Sequence, residues 1–182
     1  MGSIGDAWEL EVLDHILKTG SVSPPATVYL SLHTADPTDA CLVAAEATYT
    51  GYQRAAITFG AAASRSITQN AQVDFPACTA GSNFVTHFGI CVSGTKTTSD
   101  LMACGAFTAS KTITAGYQPF VPTTTVVVTF SAGGVSTGFA NTILDWLFRA
   151  QALTFPTTIQ VALNSAVCSD AAAGAELSGS GY

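Results

Sequence analysis

Few side chains in this sequence have the types and spacing to do chemistry. His33 and His87, with Asp36, Asp39 and Asp74, supply the base and orienting acids of a hydrolase. No G-x-S-x-G elbow or other activating context surrounds a nucleophile. His33 closes an alternating run beside a turn, and Asn164 stands in its place in a later copy of the segment, so a hydrogen bond that either side chain makes explains it better than catalysis. His87, within Thr-His-Phe-Gly-Ile, reads as a half-buried sheet histidine bonded to a backbone group. Asp36, Asp39 and Glu46 offer carboxylates to calcium but lack the regular spacing of a calcium loop. In Ala35-Asp36-Pro37-Thr38-Asp39 the aspartates are explained by bonds to nearby amides in a turn. No catalytic residue, metal site or cofactor is expected.

Five cysteines, Cys41, Cys78, Cys91, Cys104 and Cys168, form no C-x-x-C or C-x-x-H pair of the kind that closes a zinc site. Free cysteine packs well as a small apolar residue, which accounts for them in general. Cys41 and Cys168 differ, because both fall in polar loops after a strand. An odd count leaves at least one thiol without an intramolecular partner, so these two are the candidates for a disulfide between subunits. Arg54 is one of three arginines in a chain with 10% charged residues, and it is expected to pair with an internal acid, Glu46 or Asp74, as a structural ion pair.

The elements that must position these residues follow from periodicity. Asp6 to Thr19 reads as an amphipathic helix with Trp8, Val12, Leu13, Ile16 and Leu17 on one stripe, Asp6 favouring its start and Gly20 its end. Ser23-Pro24-Pro25 imposes an extended linker before a strand at Thr27 to His33. Further strands are expected at Gln53 to Phe59, Ile67 to Phe75, Phe84 to Val92, Leu101 to Phe107, Lys111 to Ala115 and Thr124 to Phe130, separated by Gly, Asn, Ser and Pro. About seven strands at this spacing predict a mainly β fold, a β-sandwich or flattened barrel preceded by the helix. Thr123 to Thr129 is β-branched and uncharged, and belongs in the centre of a sheet, since exposed it would be an aggregating edge.

The chain then starts to repeat itself. Gly138 to Tyr182 retraces Ala7 to Tyr52 at a nearly constant offset of 131: Leu13-Asp14 returns as Leu144-Asp145, Val28-x-Leu30-x-Leu32 as Ile159-x-Val161-x-Leu163, and Gly51-Tyr52 as Gly181-Tyr182. Residues 1–134 read as a complete helix-plus-sandwich unit and 135–182 as a partial second copy, a helix and a strand. The alternative is a second unit that continues past Tyr182. The second helix, Phe139 to Gln151, carries Ile143, Leu144, Leu147 and Phe148 on one face, with Phe139 and Trp146 extending the apolar surface. These six residues form a candidate docking surface, to be covered by the complete unit, a neighbouring subunit or another protein.

Composition narrows the function classes. Six basic against twelve acidic residues give a net charge of −6, which disfavours nucleic acid as a partner. Hydrophobic residues make up 48%, but no apolar run approaches the roughly 18 residues of a membrane span. The start MGSIGDAWELEVLDHIL lacks the basic and apolar regions of a secretory signal, so the protein is expected to stay in a cytoplasm or leave it inside a particle.

The order of motifs resembles a known family. Pro24 to Ala40, Gly-Tyr-x-Arg at Gly51 to Arg54, Phe-Pro-Ala at Phe75 to Ala77, Val-Thr-His-Phe-Gly-Ile at Val85 to Ile90, Gly105 to Gly116, and a final Thr/Val strand are similar, over residues 5–130, to tailed-bacteriophage proteins labelled tail-fibre or minor tail proteins. The resemblance implies a non-enzymatic virion component on the tail, the neck or the capsid surface; the partial second copy departs from the one-unit pattern. The leading expectation is a structural protein, assembled in the host cytoplasm, that binds copies of itself and neighbouring virion proteins. The alternative is a module that binds a receptor or a host surface glycan, for which Tyr49, Tyr52 and Tyr117 are the available loop aromatics.

Overall fold

The computed structural model describes residues 2–18, 22–38, 45–96, 101–131, 135–153, 161–165 and 176–178. Period-two runs of Val, Ile, Leu and Thr become strands, and the two stretches with helical periodicity become helices. In chain order these are β1 (Gly2–Ile4), α1 (Asp6–Leu17), β2 (Val28–His33), β3 (Ala55–Ile57), β4 (Ser66–Thr68), β5 (Val73–Asp74), β6 (Ser82–Cys91), β7 (Leu101–Thr114), β8 (Phe120–Val121), β9 (Val127–Thr129) and α2 (Thr137–Arg149). Seven strands form one sheet in the order β3-β2-β6-β7-β1-β9-β4, and β5 pairs with β8 in a second. The fold is mainly β and sandwich-like, without a closed barrel among the described residues.

Several strands differ from the sequence reading, each for a local reason. The run Ile67 to Phe75 divides into β4 and β5, because Gln69 turns its side chain inward. Its amide Nε2 donates to Ala71 O at 2.6 Å, and its Oε1 accepts from Val126 N at 3.2 Å. Leu101 to Phe107 and Lys111 to Ala115 are one strand, β7, in which a register shift opposite Val85 and His87 accommodates the residues between Ala106 and Lys111. β1 and β8 are too short to leave a periodic signal. β9 is shorter than expected and lies second from the edge, between β1 and β4, rather than at the centre; its backbone is still covered on both sides.

The core between the layers includes Leu30, Phe75, Phe88, Ile90, Met102, Ile113 and Val128, all 1% exposed or less. The second helix completes it. Ile143, Leu144, Trp146, Leu147 and Phe148 belong to the same cluster, and Phe148 packs on Phe59 with ring centroids 5.4 Å apart. Ser136 caps this helix, its Oγ accepting from Phe139 N at 3.3 Å. Ala62 N donates to Asp145 Oδ1 at 2.9 Å and Arg65 N to Asn141 Oδ1 at 2.8 Å, while the Arg65 guanidinium donates to Val135 O at 2.7 Å. α2 is thus bonded as well as packed onto the β layers.

Candidate assembly surfaces and the polar core

β2 and β6 run antiparallel with His33 opposite His87. This register puts Ser31 and His33 in the interior, and an isolated bridge to His33 brings in Glu46; all three are buried. Ser31 Oγ lies 2.8 Å from His33 Nε2, which resembles a nucleophile and its base, yet Ser31 and His33 are fully buried and no substrate reaches them. Gly89 permits the arrangement, since a Cβ there would stand 2.6 Å from Ser31 Oγ and 2.9 Å from His33 Nε2. His87 is half-buried, and its Nδ1 lies 2.8 Å from Thr86 Oγ1, a side chain rather than the expected backbone group.

The charge in this core is held by Arg54. Its Nε and Nη2 donate to the two Glu46 oxygens at 2.8 and 2.9 Å, a bidentate pair whose side chains are 1% and 0% exposed. Nη1 reaches Ser93 O at 2.9 Å, and Tyr52 Oη donates to Glu46 Oε1 at 2.9 Å. Of the two acids expected for Arg54, Glu46 is the one so bonded; Asp74 accepts from Gln72 Nε2 at 2.7 Å. Burial alone would raise the Glu46 carboxyl, but the bonds from Arg54 and Tyr52 outweigh it and hold the group below its usual range. The same burial, with Glu46 opposing it and Arg54 reinforcing it, pushes His33 down to about 4. Glu46 is thereby committed to Arg54, and Asp36 Oδ1 accepts from Thr38 N at 2.9 Å in a turn. Asp39, the third carboxylate considered for calcium, lies outside the described residues.

A pH dependence follows. His33 has a folded-state pKa near 4 against 6.5 when unfolded, so between these values the unfolded chain binds the extra proton. Its contribution to stability is fully present above about 6.5 and is lost as pH falls toward 4. His33→Asn, the residue of the second copy, is expected to flatten the fall in stability over that window, as read by denaturant unfolding at a series of pH values. An unchanged slope would assign the acid sensitivity to other groups.

The two helices, equivalent at the offset of 131, are treated differently. In α2, Leu144 is 0% and Phe148 4% exposed; at the matching positions of α1, Leu13 is 49% and Leu17 63% exposed. Both helices keep the same ion pair one turn apart, Asp14–Lys18 and Asp145–Arg149, each at 2.8 Å. α1 leans on α2 through His15, whose ring stacks on Trp146 at 4.9 Å, and it buries Val12. Its opposite side presents Leu10, Leu13 and Leu17, spaced i, i+3, i+7, to solvent. Leu10, 65% exposed, was not on the stripe read from the sequence.

A family model described as podophage GP4 fiber I protein gp80 matches residues 3–129 and 134–182, nearly the whole chain. The chain belongs to this fibre family. A comparison with curated proteins finds no match. As a podophage fibre I protein it is a component of the virion, as the sequence resemblance implied, and its structural role accords with an interior in which the Ser31–His33 pair is sealed.

In this fibre protein the six docking residues expected on the second helix turn toward the chain's own core. Ile143, Leu144, Trp146, Leu147 and Phe148 are buried there and Phe139 packs partly against it, so side chains from residues 4–128 of the same chain cover this face. Cys78, Cys91 and Cys104 are buried, whereas Cys41 and Cys168, the pair singled out for cross-linking, lie outside the described residues. Asn83 escaped the sequence reading: its Oδ1 accepts from both Thr48 N and Tyr49 N at 2.8 Å, pinning the loop that delivers Glu46. A polar residue in an otherwise alternating strand was the only signal for it.

Proposed function

We propose that this fibre protein is a non-enzymatic building block that binds further copies of itself and neighbouring virion proteins, and that the Leu10–Leu13–Leu17 face of α1 is one surface it uses. The observation that carries the reading is the contrast between equivalent helices: α2 buries Leu144 and Phe148, while α1 leaves their counterparts Leu13 and Leu17 open to solvent. A stripe of large aliphatic side chains is normally covered in a working assembly. Residues 135–182 act as a partial second unit whose helix has been folded back onto the first, leaving α1 for intermolecular contact. Cys41 and Cys168 lock neighbouring subunits once the particle leaves the reducing cytoplasm.

The covalent part is tested on purified particles run on non-reducing and reducing gels, with mapping of the peptides that hold Cys41 and Cys168. Multimers that collapse on reduction, linked through these peptides, are expected. A single-chain band under both conditions would leave attachment non-covalent and remove the disulfide from the proposal.

A further inference from the structure

An apolar mouth opens between the two sheets. Its floor is formed by the buried side chains of Leu32, Phe75, Val85 and Ile113, its volume is about 410 Å³, and Phe120 stands at its rim 49% exposed. One wall is β7, whose pairing on the side of β1 is confined, among the described residues, to Ala103, Cys104 and Gly105. Phe107, Thr108, Ala109 and Lys111 of that strand line the mouth. The opposite wall is the segment from Pro119 to Thr125 that leads into β9. Between these walls the mouth forms an apolar slot of the kind that accepts an extended segment.

The same chain carries an extended segment suited to it. Val161 and Leu163 correspond at the offset of 131 to Leu30 and Leu32, which β2 buries to 0% and 3% exposure. In the second copy they are 88% and 56% exposed, and Leu177, whose N–H donates to Leu163 O at 2.9 Å, is 43% exposed. Alternating side chains that form core in one copy thus lie open to solvent in the other. Charge agrees: Lys111 lies at the mouth, its ammonium 5.0 Å over the Tyr117 ring, and Glu176 pairs beside Asn164 in the exposed segment. Because this segment is exposed in its own chain, its match to the mouth is made between chains.

We infer that the mouth between β7 and the Pro119–Thr125 segment receives the Val161–Leu163 segment of a second copy, joining subunits by strand addition. The inference rests on the self-association proposed above and specifies a second contact for it. The test is a photo-crosslinking phenylalanine analogue at Phe120 in the full chain, in an equal mixture of ¹⁴N- and ¹⁵N-labelled protein, with peptide mapping. Mixed-isotope links to peptides holding Val161, Leu163 or Leu177 are expected, and they should be lost in Val161→Glu/Leu163→Glu with an unchanged thermal melt. If the chain oligomerises but links are absent, stay within one copy or reach another region, the strand addition is overturned and self-association stands. If the chain remains monomeric at every concentration, both fall.

Discussion

Arg54→Ala is expected to lower stability by about 3–5 kcal/mol, the usual effect of removing one partner from a buried ion pair. The magnitude follows from what remains. Glu46 would keep only the Tyr52 hydroxyl among the bonds described above, in a site where its side chain is 0% exposed. The Ser93 carbonyl would also lose its bond from the guanidinium. Replacing both charges, as Glu46→Leu with Arg54→Met, should destabilise less than Arg54→Ala alone, because no unpaired charge is left inside. Urea unfolding of the three proteins at neutral pH checks this. A single variant as stable as the wild type would show that the buried pair does not stabilise the fold.

Leu144→Ala is expected to cost about 2–5 kcal/mol, as for a fully buried leucine whose site cannot collapse. Leu13→Ala, its equivalent in α1, should change the stability of the isolated chain by no more than about 0.5 kcal/mol, as at other exposed sites. The pair of variants separates two ideas about the C-terminal third. A helix serving only as a link to other subunits would give two small effects. A helix that completes the core gives one large and one small. Deleting Ser136 to Tyr182 follows the same logic. The sequence alone suggests that the first unit survives this deletion, but loss of Ile143, Leu144, Leu147 and Phe148 would uncover Phe59 and the strands beneath, so a broadened, lower melt is expected.

The mainly β class, both helices and most strands were legible because each rests on a local pattern several residues long. Arg54 was legible for a different reason: a guanidinium in a weakly charged chain needs an acid, and Glu46 is eight residues away. What failed to show was what depends on distant partners. Gly2–Ile4 becomes a strand only because β7 and β9 flank it. Gln69 looked like part of a continuous run, and tertiary bonds to Val121 and Val126 break it. The second helix announced its apolar surface, but the choice of cover rested on Asn141 and Asp145 meeting the backbone of Arg65 and Ala62, contacts spanning 76 and 83 residues.

Sedimentation velocity of the purified full chain over a dilution series, beside Leu13→Glu/Leu17→Glu, tests most directly whether this fibre protein builds assemblies through α1. Both positions are exposed, so the double variant is expected to melt like the wild type. The prediction is a concentration-dependent mass above the 18.6 kDa of one chain for the wild type, shifted toward 18.6 kDa in the variant. A wild type that stays at single-chain mass throughout, or a variant with the same distribution of oligomers, would contradict it.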